Sequence, residues 1–534
     1  MLQYDPDKDF LLAGISKGFE IIQAGSDIQP AFCANHKSAL SVENKCRVEK
    51  QILHEVNCNR YIITDVKPTI VSALGAVPKP HSSDIRLIHD CSRPLGLGLN
   101  SYAHPDSFTF NTVDGACKSI QRGYYMSKID LKSAYRSVPI HPDHYPAAGL
   151  QWKFHGSHKP VYLYDTCLMF GASQAVSIFH RLSNALVRVI ERYTAPGCVI
   201  NYLDDFLILA PTKELALCYM HIALGVITSL GFVINFEKLV LPTTDIVFLG
   251  ININSTQMML YIPPDKLNEI KLKAAGWLSK KRATKRELQS LAGIISWGAK
   301  CVKSIRPILR SIINLYKGLR GPSHHVRISK LVQADICYFI QWCNSFNGVS
   351  FAVRTRPIAT MYSDASLTAA AAYSHGDFLY SVFACDNSQY ASQDIYVKEL
   401  LAVLLALQRW AHAWAGYTVI ARIDNQGVLG ALHQGLTKNC IANGILKAIL
   451  WYTAIYDIDL CPSYILSADN VIADCLSRGD DPVKFNMVTA GLLSYYGPNY
   501  FALPLPPHMT ISSYLFLMHR YASRGLNFKH SSLS

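Results

Sequence analysis

The stretch Asn201-Tyr202-Leu203-Asp204-Asp205-Phe206-Leu207-Ile208-Leu209-Ala210 sets two adjacent carboxylates between apolar runs, the first of which is Cys198-Val199-Ile200. Short apolar runs bounded by polar residues read as buried strands, so the two acids fall at the hinge of a buried hairpin. Two charges in that position are costly unless cations neutralise them. A hard dication held by carboxylate oxygens does this most simply, and Mg2+ is the usual one, with Mn2+ as the alternative. Taken by itself the stretch has a competing reading as an ordinary Asp-Asp turn.

A third acid, 74 residues earlier, weighs against the ordinary turn. In Met126-Ser127-Lys128-Ile129-Asp130-Leu131-Lys132-Ser133-Ala134-Tyr135, Asp130 ends an apolar strand, where its side chain can project beyond the sheet edge. Asp130 with Asp204 would make a two-metal site, in which one metal lowers the pKa of a 3′-hydroxyl and both stabilise charge on an in-line phosphoryl transfer.

Together these stretches resemble the palm of a reverse transcriptase. Tyr202-Leu203-Asp204-Asp205 is similar to that family's YxDD box, and Asp130-Leu131-Lys132-Ser133-Ala134-Tyr135 to its first palm motif. The likeness extends upstream through Leu74-Gly75-Ala76-Val77-Pro78-Lys79 and residues 86–93. Downstream it runs through Phe170-Gly171, Ser173-Gln174, residues 232–238 and Phe248-Leu249-Gly250-Ile251, nearly 200 residues in all. The resemblance implies that Asp130, Asp204 and Asp205 are the catalytic metal ligands, with two Mg2+ per site. Lys79 and Arg86 would clamp the triphosphate of a dNTP, and Tyr135 would stack under the sugar and exclude a 2′-hydroxyl. Gly171 would let the backbone approach the nucleotide, with Gln174 in the same nucleotide-binding set. Lys238 would protonate leaving pyrophosphate, and Leu249-Gly250 would be the primer grip. Plain core packing is the alternative for Tyr135.

A second set of acids follows: Asp364 in Met361-Tyr362-Ser363-Asp364, Glu399 near the start of an apolar helix, Asp424 at the end of the strand 417–423, and Asp474 in Ala473-Asp474-Cys475-Leu476-Ser477-Arg478. Any one of them could be a helix cap. Four at strand ends and helix starts, spaced by 35, 25 and 50 residues, resemble the ribonuclease H quartet. That resemblance implies a second two-metal site that cleaves the RNA of an RNA–DNA hybrid. A polymerase palm followed by ribonuclease H is similar to retroelement enzymes. The phrases at 89–96, 285–293, 473–478 and 35–39 look most like tyrosine-recombinase retrotransposons of the DIRS/Ngaro type, with Ty3-like LTR elements next and a pararetrovirus polymerase also open.

The expected architecture is an α+β multidomain chain, a right-hand polymerase of fingers, palm and thumb followed by an α/β ribonuclease H-like domain. Its expected parts are an N-terminal helical extension 1–60, fingers and palm 61–262, a basic helical thumb and connection 263–356, ribonuclease H 357–480, and a C-terminal extension 481–534. Strands are expected at 86–89, 125–129, 161–167 and 246–253, and helices at 174–193 and 213–230. Thr284-Lys285-Arg286-Glu287 has the spacing of a capping box.

The 534 residues are 50% hydrophobic and 11% aromatic, which excludes a disordered chain. No run of about 18 apolar residues is present, so no membrane partner is expected, and the start lacks the pattern of a secretory signal. Fifteen cysteines without a CxxC pair point to reduced thiols in a cytoplasmic or nuclear protein. Cys33, His36, Cys46, His54 and Cys58 fit no standard zinc-finger spacing. They read as helical-core cysteines and surface histidines.

The formal charge is +13, and residues 265–330 carry all of it, with sixteen Lys/Arg against three Asp/Glu. An excess of that size in one segment favours a polyanion, through Lys280, Lys281, Arg282, Lys285 and Arg286. The expected partners are RNA template, DNA primer, RNA–DNA hybrid and dNTPs, with an element-encoded recombinase or Gag-like protein beside them. The sequence does not set the oligomeric state. Three departures from the family pattern leave every metal ligand in place: Met169 before Phe170-Gly171, Ala175-Val176 where Ala-Pro is common, and Tyr464-Ile465-Leu466-Ser467 where a His-x-x-Gly turn is common. They keep open a domesticated or decayed copy that binds nucleic acid without turnover.

Overall fold

The hairpin of Asp204 and Asp205 lies in a four-stranded antiparallel sheet ordered Val240–Thr243, Tyr125–Asp130, Asp205–Ala210, Val199–Tyr202. The computed structural model describes residues 5–79, 84–104, 107–301, 305–345, 347–352 and 355–478, so the expected extension 481–534 lies outside the described residues. The chain divides into two compact units, one ending at Met258 and the other beginning at Met259.

In the first unit, the continuous run Phe206-Leu207-Ile208-Leu209-Ala210 is fully buried, as a strand covered on both faces must be. Helices Ser173–Glu191 and Lys213–Ser229 pack on this sheet. Thr212 starts the second of them by accepting from the Leu215 amide, which satisfies one of the orphan donors of a first turn. A five-stranded sheet is ordered Ala31–Phe32, Ile70–Val71, Gly149–Trp152, Val161–Asp165, Tyr61–Thr64. Helix Val42–Asn57 packs against its Tyr61–Thr64 edge and against the antiparallel pair Ala73–Pro78 and Ile85–Asp90.

One expected strand is wrong. Residues 246–253 form two strands, Asp245–Phe248 and Ile251–Asn254, paired antiparallel. Leu249 and Gly250, with φ of +50° and +79°, make the two-residue turn between them. Positive φ at both central positions matches the twist of a tight hairpin, and the apolar run hid the turn.

In the second unit, a five-stranded sheet is ordered Asp377–Val382, Ala369–Ser374, Ile358–Ala365, Thr418–Ile423, Asp459–Tyr464. Its first two pairings are antiparallel and its last two parallel. Helices Ile395–Trp410 and Cys440–Ile455 share one apolar core with it. The basic segment is not wholly helical. It holds helices Pro264–Ala275, Lys285–Gly298 and Arg306–Lys317, with a strand between the first two, Arg282–Thr284, that pairs with His325–Arg327. Thr284 leaves that strand to cap the next helix, and its capping box with Glu287 is complete.

Candidate functional site

Asp205 opens its strand directly opposite Asp130 in the antiparallel register, so the two side chains share a sheet face. Lys128 lies on that face two residues back along the Asp130 strand. Asp204 sits in the turn, and its carbonyl accepts from the Leu131 amide at 3.1 Å. Leu203, beside it, has φ of +55°, a conformation rare for a branched side chain and held by its surroundings at a cost of about 1–3 kcal/mol. The restraint is visible: Ser183 Oγ donates to the Leu203 carbonyl at 2.6 Å, and Asn201 Nδ2 donates to Ser183 Oγ and Asn184 Oδ1, both at 2.8 Å.

Asp130 is buried and accepts from Asn235 Nδ2 at 2.9 Å and from Lys238 Nζ at 3.1 Å. Lys238 therefore reaches the acid cluster and lies on Asp130 itself. Burial raises the carboxyls of Asp204 and Asp205, and the neighbouring acids add to the shift. Lys128 works the other way on Asp205. Crowded carboxylates that resist ionisation are the donor set a hard cation relieves.

The expected nucleotide-binding residues differ in what they do. Tyr135 is half-buried, with its ring 5.2 Å from Phe170 and 5.3 Å from Phe179, and burial pushes its phenol up to about 12. The Arg86 guanidinium lies 5.1 Å from the Phe170 ring, and Lys79 pairs with Asp84 at 3.7 Å. Gln174 is buried, and its amide donates to the His104 carbonyl at 2.6 Å. Gly171 has φ of +118°, and a Cβ on it would come 1.8 Å from the His89 carbonyl oxygen. What demands glycine there is close backbone packing on His89. Leu249 and Gly250 form the hairpin turn already described.

In the second unit, Asp364 is next to last in the central strand Ile358–Ala365, Glu399 lies in the first turns of the helix Ile395–Trp410, and Asp424 follows the strand Thr418–Ile423. Their ligand oxygens lie within 4.8 Å of one another, the one such set of three among the described residues. Glu399 is buried, and its Oε2 has no hydrogen-bond partner. Burial, with Asp364 and Asp424 adding to it, pushes its carboxyl up to about 9, and burial raises Asp364 to about 6. A buried oxygen without a donor among three crowded acids fits a divalent cation. Asp474 is outside this set, and Arg478, one helical turn on, pairs with its carboxylate at 2.8 Å.

Two serines that the sequence did not single out orient the acids. Ser477 Oγ donates to Asp364 Oδ2, and Ser467 Oγ donates to Asp424 Oδ2 at 2.8 Å. Both lie in stretches compared with the family pattern, 473–478 and 464–467, as Asn235 lies in 232–238, but nothing in those stretches marks their role, since both hydrogen bonds join segments more than 40 residues apart. Among the expected phosphate-binding residues, Lys280 pairs with Glu287 at 2.6 Å and Lys285 Nζ donates to the Leu319 carbonyl at 2.6 Å. Arg282 faces Arg327 directly across the small sheet. Like charges opposed in that way destabilise a strand pair and are relieved by an anion.

Residues 72–253 match the family model described as reverse transcriptase (RNA-dependent DNA polymerase). The chain is 24% identical over 215 residues to polyprotein P3 of Commelina yellow mottle virus, covering 40% of this chain and 10% of that protein. It is 24% identical over 392 residues to an enzymatic polyprotein of Cassava vein mosaic virus, covering 68% of this chain and 53% of that one. The chain thus spans about half or less of the length of these curated relatives. Two solved structures of the foamy viral protease-reverse transcriptase, one in complex with dsDNA and one with an RNA/DNA hybrid, superpose with a TM-score of 0.51 at 17% identity. Each covers 84% of this chain, and the chain covers 86% and 56% of them respectively. Residues 72–253 are therefore reverse-transcriptase-like, similar to the reverse transcriptase domains of diverse retroelements, and the chain has a mixed α/β multidomain fold that matches the architecture of the foamy viral reverse transcriptase structures.

Proposed function

We propose that this chain is an RNA-directed DNA polymerase with an associated ribonuclease H activity, copying retroelement RNA into DNA. The observation that carries the reading is the pairing of Asp130 with Asp205 at one sheet end, beside Asp204 and Lys238. The gathering of Asp364, Glu399 and Asp424 supports the nuclease half. Asp130, Asp204 and Asp205 would hold Mg2+ at the first site, and Asp364, Glu399 and Asp424 at the second, where Asp474 would join on leaving Arg478. Bound metal supplies Lewis acidity at the reacting phosphate and lowers the pKa of the attacking oxygen. The chain's own groups do the rest. Lys79 and Arg86 attract the triphosphate, the Tyr135 ring closes the space beneath the sugar, and Lys238 holds a proton beside Asp130 for the leaving group. The boundaries 61–262, 263–356 and 357–480 are our assignment of fingers and palm, thumb and connection, and nuclease.

The template, primer and hybrid would lie along the basic residues 280–286. The phrases at 89–96, 285–293 and 473–478 favour a DIRS/Ngaro-type element as the source, which a recombinase gene beside this one would support and a protease–integrase neighbour would exclude. Among the described residues no helix is long and apolar enough to cross a membrane.

The test is primer extension by purified protein on an RNA template with Mg2+ and dNTPs. Wild type should extend and an Asp204→Asn/Asp205→Asn double variant should not; equal extension by both ends the polymerase reading. Asp364→Asn should abolish hybrid cleavage while extension persists. Loss of both activities would mean a misfolded variant.

A further inference from the structure

Immediately after Tyr135, the chain turns a cation inward. The Arg136 side chain is 9% exposed, and every nitrogen of its guanidinium is used. Nη1 donates to both oxygens of Asp165, at 2.9 and 2.8 Å, and to the Leu168 carbonyl at 3.2 Å. Nε and Nη2 donate to Glu55 Oε2 at 3.1 and 3.0 Å. The guanidinium also lies 5.2 Å from the Tyr61 ring, whose hydroxyl meets His89 Nε2 at 2.9 Å. His89 in turn donates its backbone N–H to the Phe170 carbonyl at 2.8 Å, and its own carbonyl is the atom against which Gly171 packs. One side chain thus fastens the segment that follows Tyr135 to the strand end and loop, Asp165 to Leu168, that lead into Phe170 and Gly171. It also anchors both to the helix Val42–Asn57 through Glu55.

A buried ion network is weak evidence for stability, because well-packed apolar residues do as well or better. What it supplies is geometry: a planar fork with several donors in fixed directions. The geometry it sets is the Tyr135–Phe170 contact, since Arg136 holds the chain one residue beyond the first ring and, through Leu168, two residues before the second. We infer that Arg136 is a positioning residue that sets the shape of the sugar pocket under Tyr135, with Glu55 and Asp165 as its anchors. The inference rests on the proposed polymerase reading, in which Tyr135 discriminates against a 2′-hydroxyl.

The experiment uses the full chain with Arg136→Lys and Glu55→Gln, each checked for folding by circular dichroism and with active enzyme counted by burst titration. Single-nucleotide extension is then measured with a dNTP and with the matching rNTP. Lysine keeps the charge and loses the fork, so Arg136→Lys should lower dNTP-over-rNTP selectivity by about tenfold or more, as misplacement of a positioned group by about 1 Å commonly does. Glu55→Gln, which keeps the shape and weakens one anchor, should shift selectivity in the same direction by less. A merely structural role would reduce the active fraction and leave the ratio unchanged. If wild type extends and both folded variants keep its selectivity, the inference fails and the polymerase reading stands. If Arg136→Lys does not fold, unchanged selectivity in Glu55→Gln overturns it equally. If wild type extends neither nucleotide, the polymerase reading fails and takes the inference with it.

Discussion

Glu399→Gln replaces the most perturbed carboxyl in the second unit with its neutral isostere. In the metal-free protein the Glu399 carboxyl is pushed up to about 9 from 4.5, first by burial and then by Asp364 and Asp424. A carboxyl whose folded pKa is raised binds more protons in the folded than in the unfolded chain. Stability therefore falls as pH climbs above the unfolded value and levels off only past the folded one. Each pH unit in that window costs about 1.4 kcal/mol. At pH 5 the variant and wild type should lie within about 1 kcal/mol of each other, and at pH 7.5 the glutamine form should be more stable by about 3–4 kcal/mol. Mg2+ should close that gap, since a ligand that binds only the folded state stabilises by about 4.1 kcal/mol at a thousandfold excess over Kd, and the variant lacks one of the ligands. The assay is urea unfolding followed by hydrogen exchange of the helix Ile395–Trp410, at both pH values, with and without Mg2+. A variant no more stable than wild type at pH 7.5 without metal, or one that gains as much from Mg2+, would refute the idea that this carboxylate is kept at a cost for a cation.

Three further outcomes are expected. Gly171→Ala would bring a methyl 1.8 Å from the His89 carbonyl oxygen at a φ of +118°, so the first unit should lose about 3 kcal/mol or more, read as faster exchange of the amides of strand Ile85–Asp90. Thr284→Ala removes the hydroxyl arm of the capping box that starts helix Lys285–Gly298 and should destabilise it by about 1 kcal/mol, visible in a thermal melt; an unchanged melt would mean the cap is redundant. Charge reversal at Lys281, Arg282 and Arg286 should flatten the plot of log affinity against log salt for an RNA–DNA hybrid by about 0.7–0.9 for each phosphate left unneutralised, and an unaltered slope would place the duplex elsewhere.

The sequence was most legible where chemistry is local. Apolar runs ending in acids marked the ends of the strands Tyr125–Asp130 and Asp205–Ala210, because burial of an apolar strand and the cost of a buried charge are both written in a few consecutive residues. The capping box at Thr284 was legible for the same reason. The run 246–253 was misread because a hairpin turn of Leu249 and Gly250 needs positive φ, which an apolar string does not display.

The sequence by itself thus determined most of the kinds of element, the order of the seven acids and the place of the excess charge. Only the tertiary structure decided that Asp130 meets Asp205 in register, that Asp364, Glu399 and Asp424 gather while Asp474 stays with Arg478, and that Gly171 is pressed on His89. It alone showed Arg136 as a hub among Glu55, Asp165 and Leu168. Propensity and burial act over neighbouring residues, whereas a hydrogen bond or a shared cation site depends on distances between segments far apart in the chain, and those exist only after the sheets have closed.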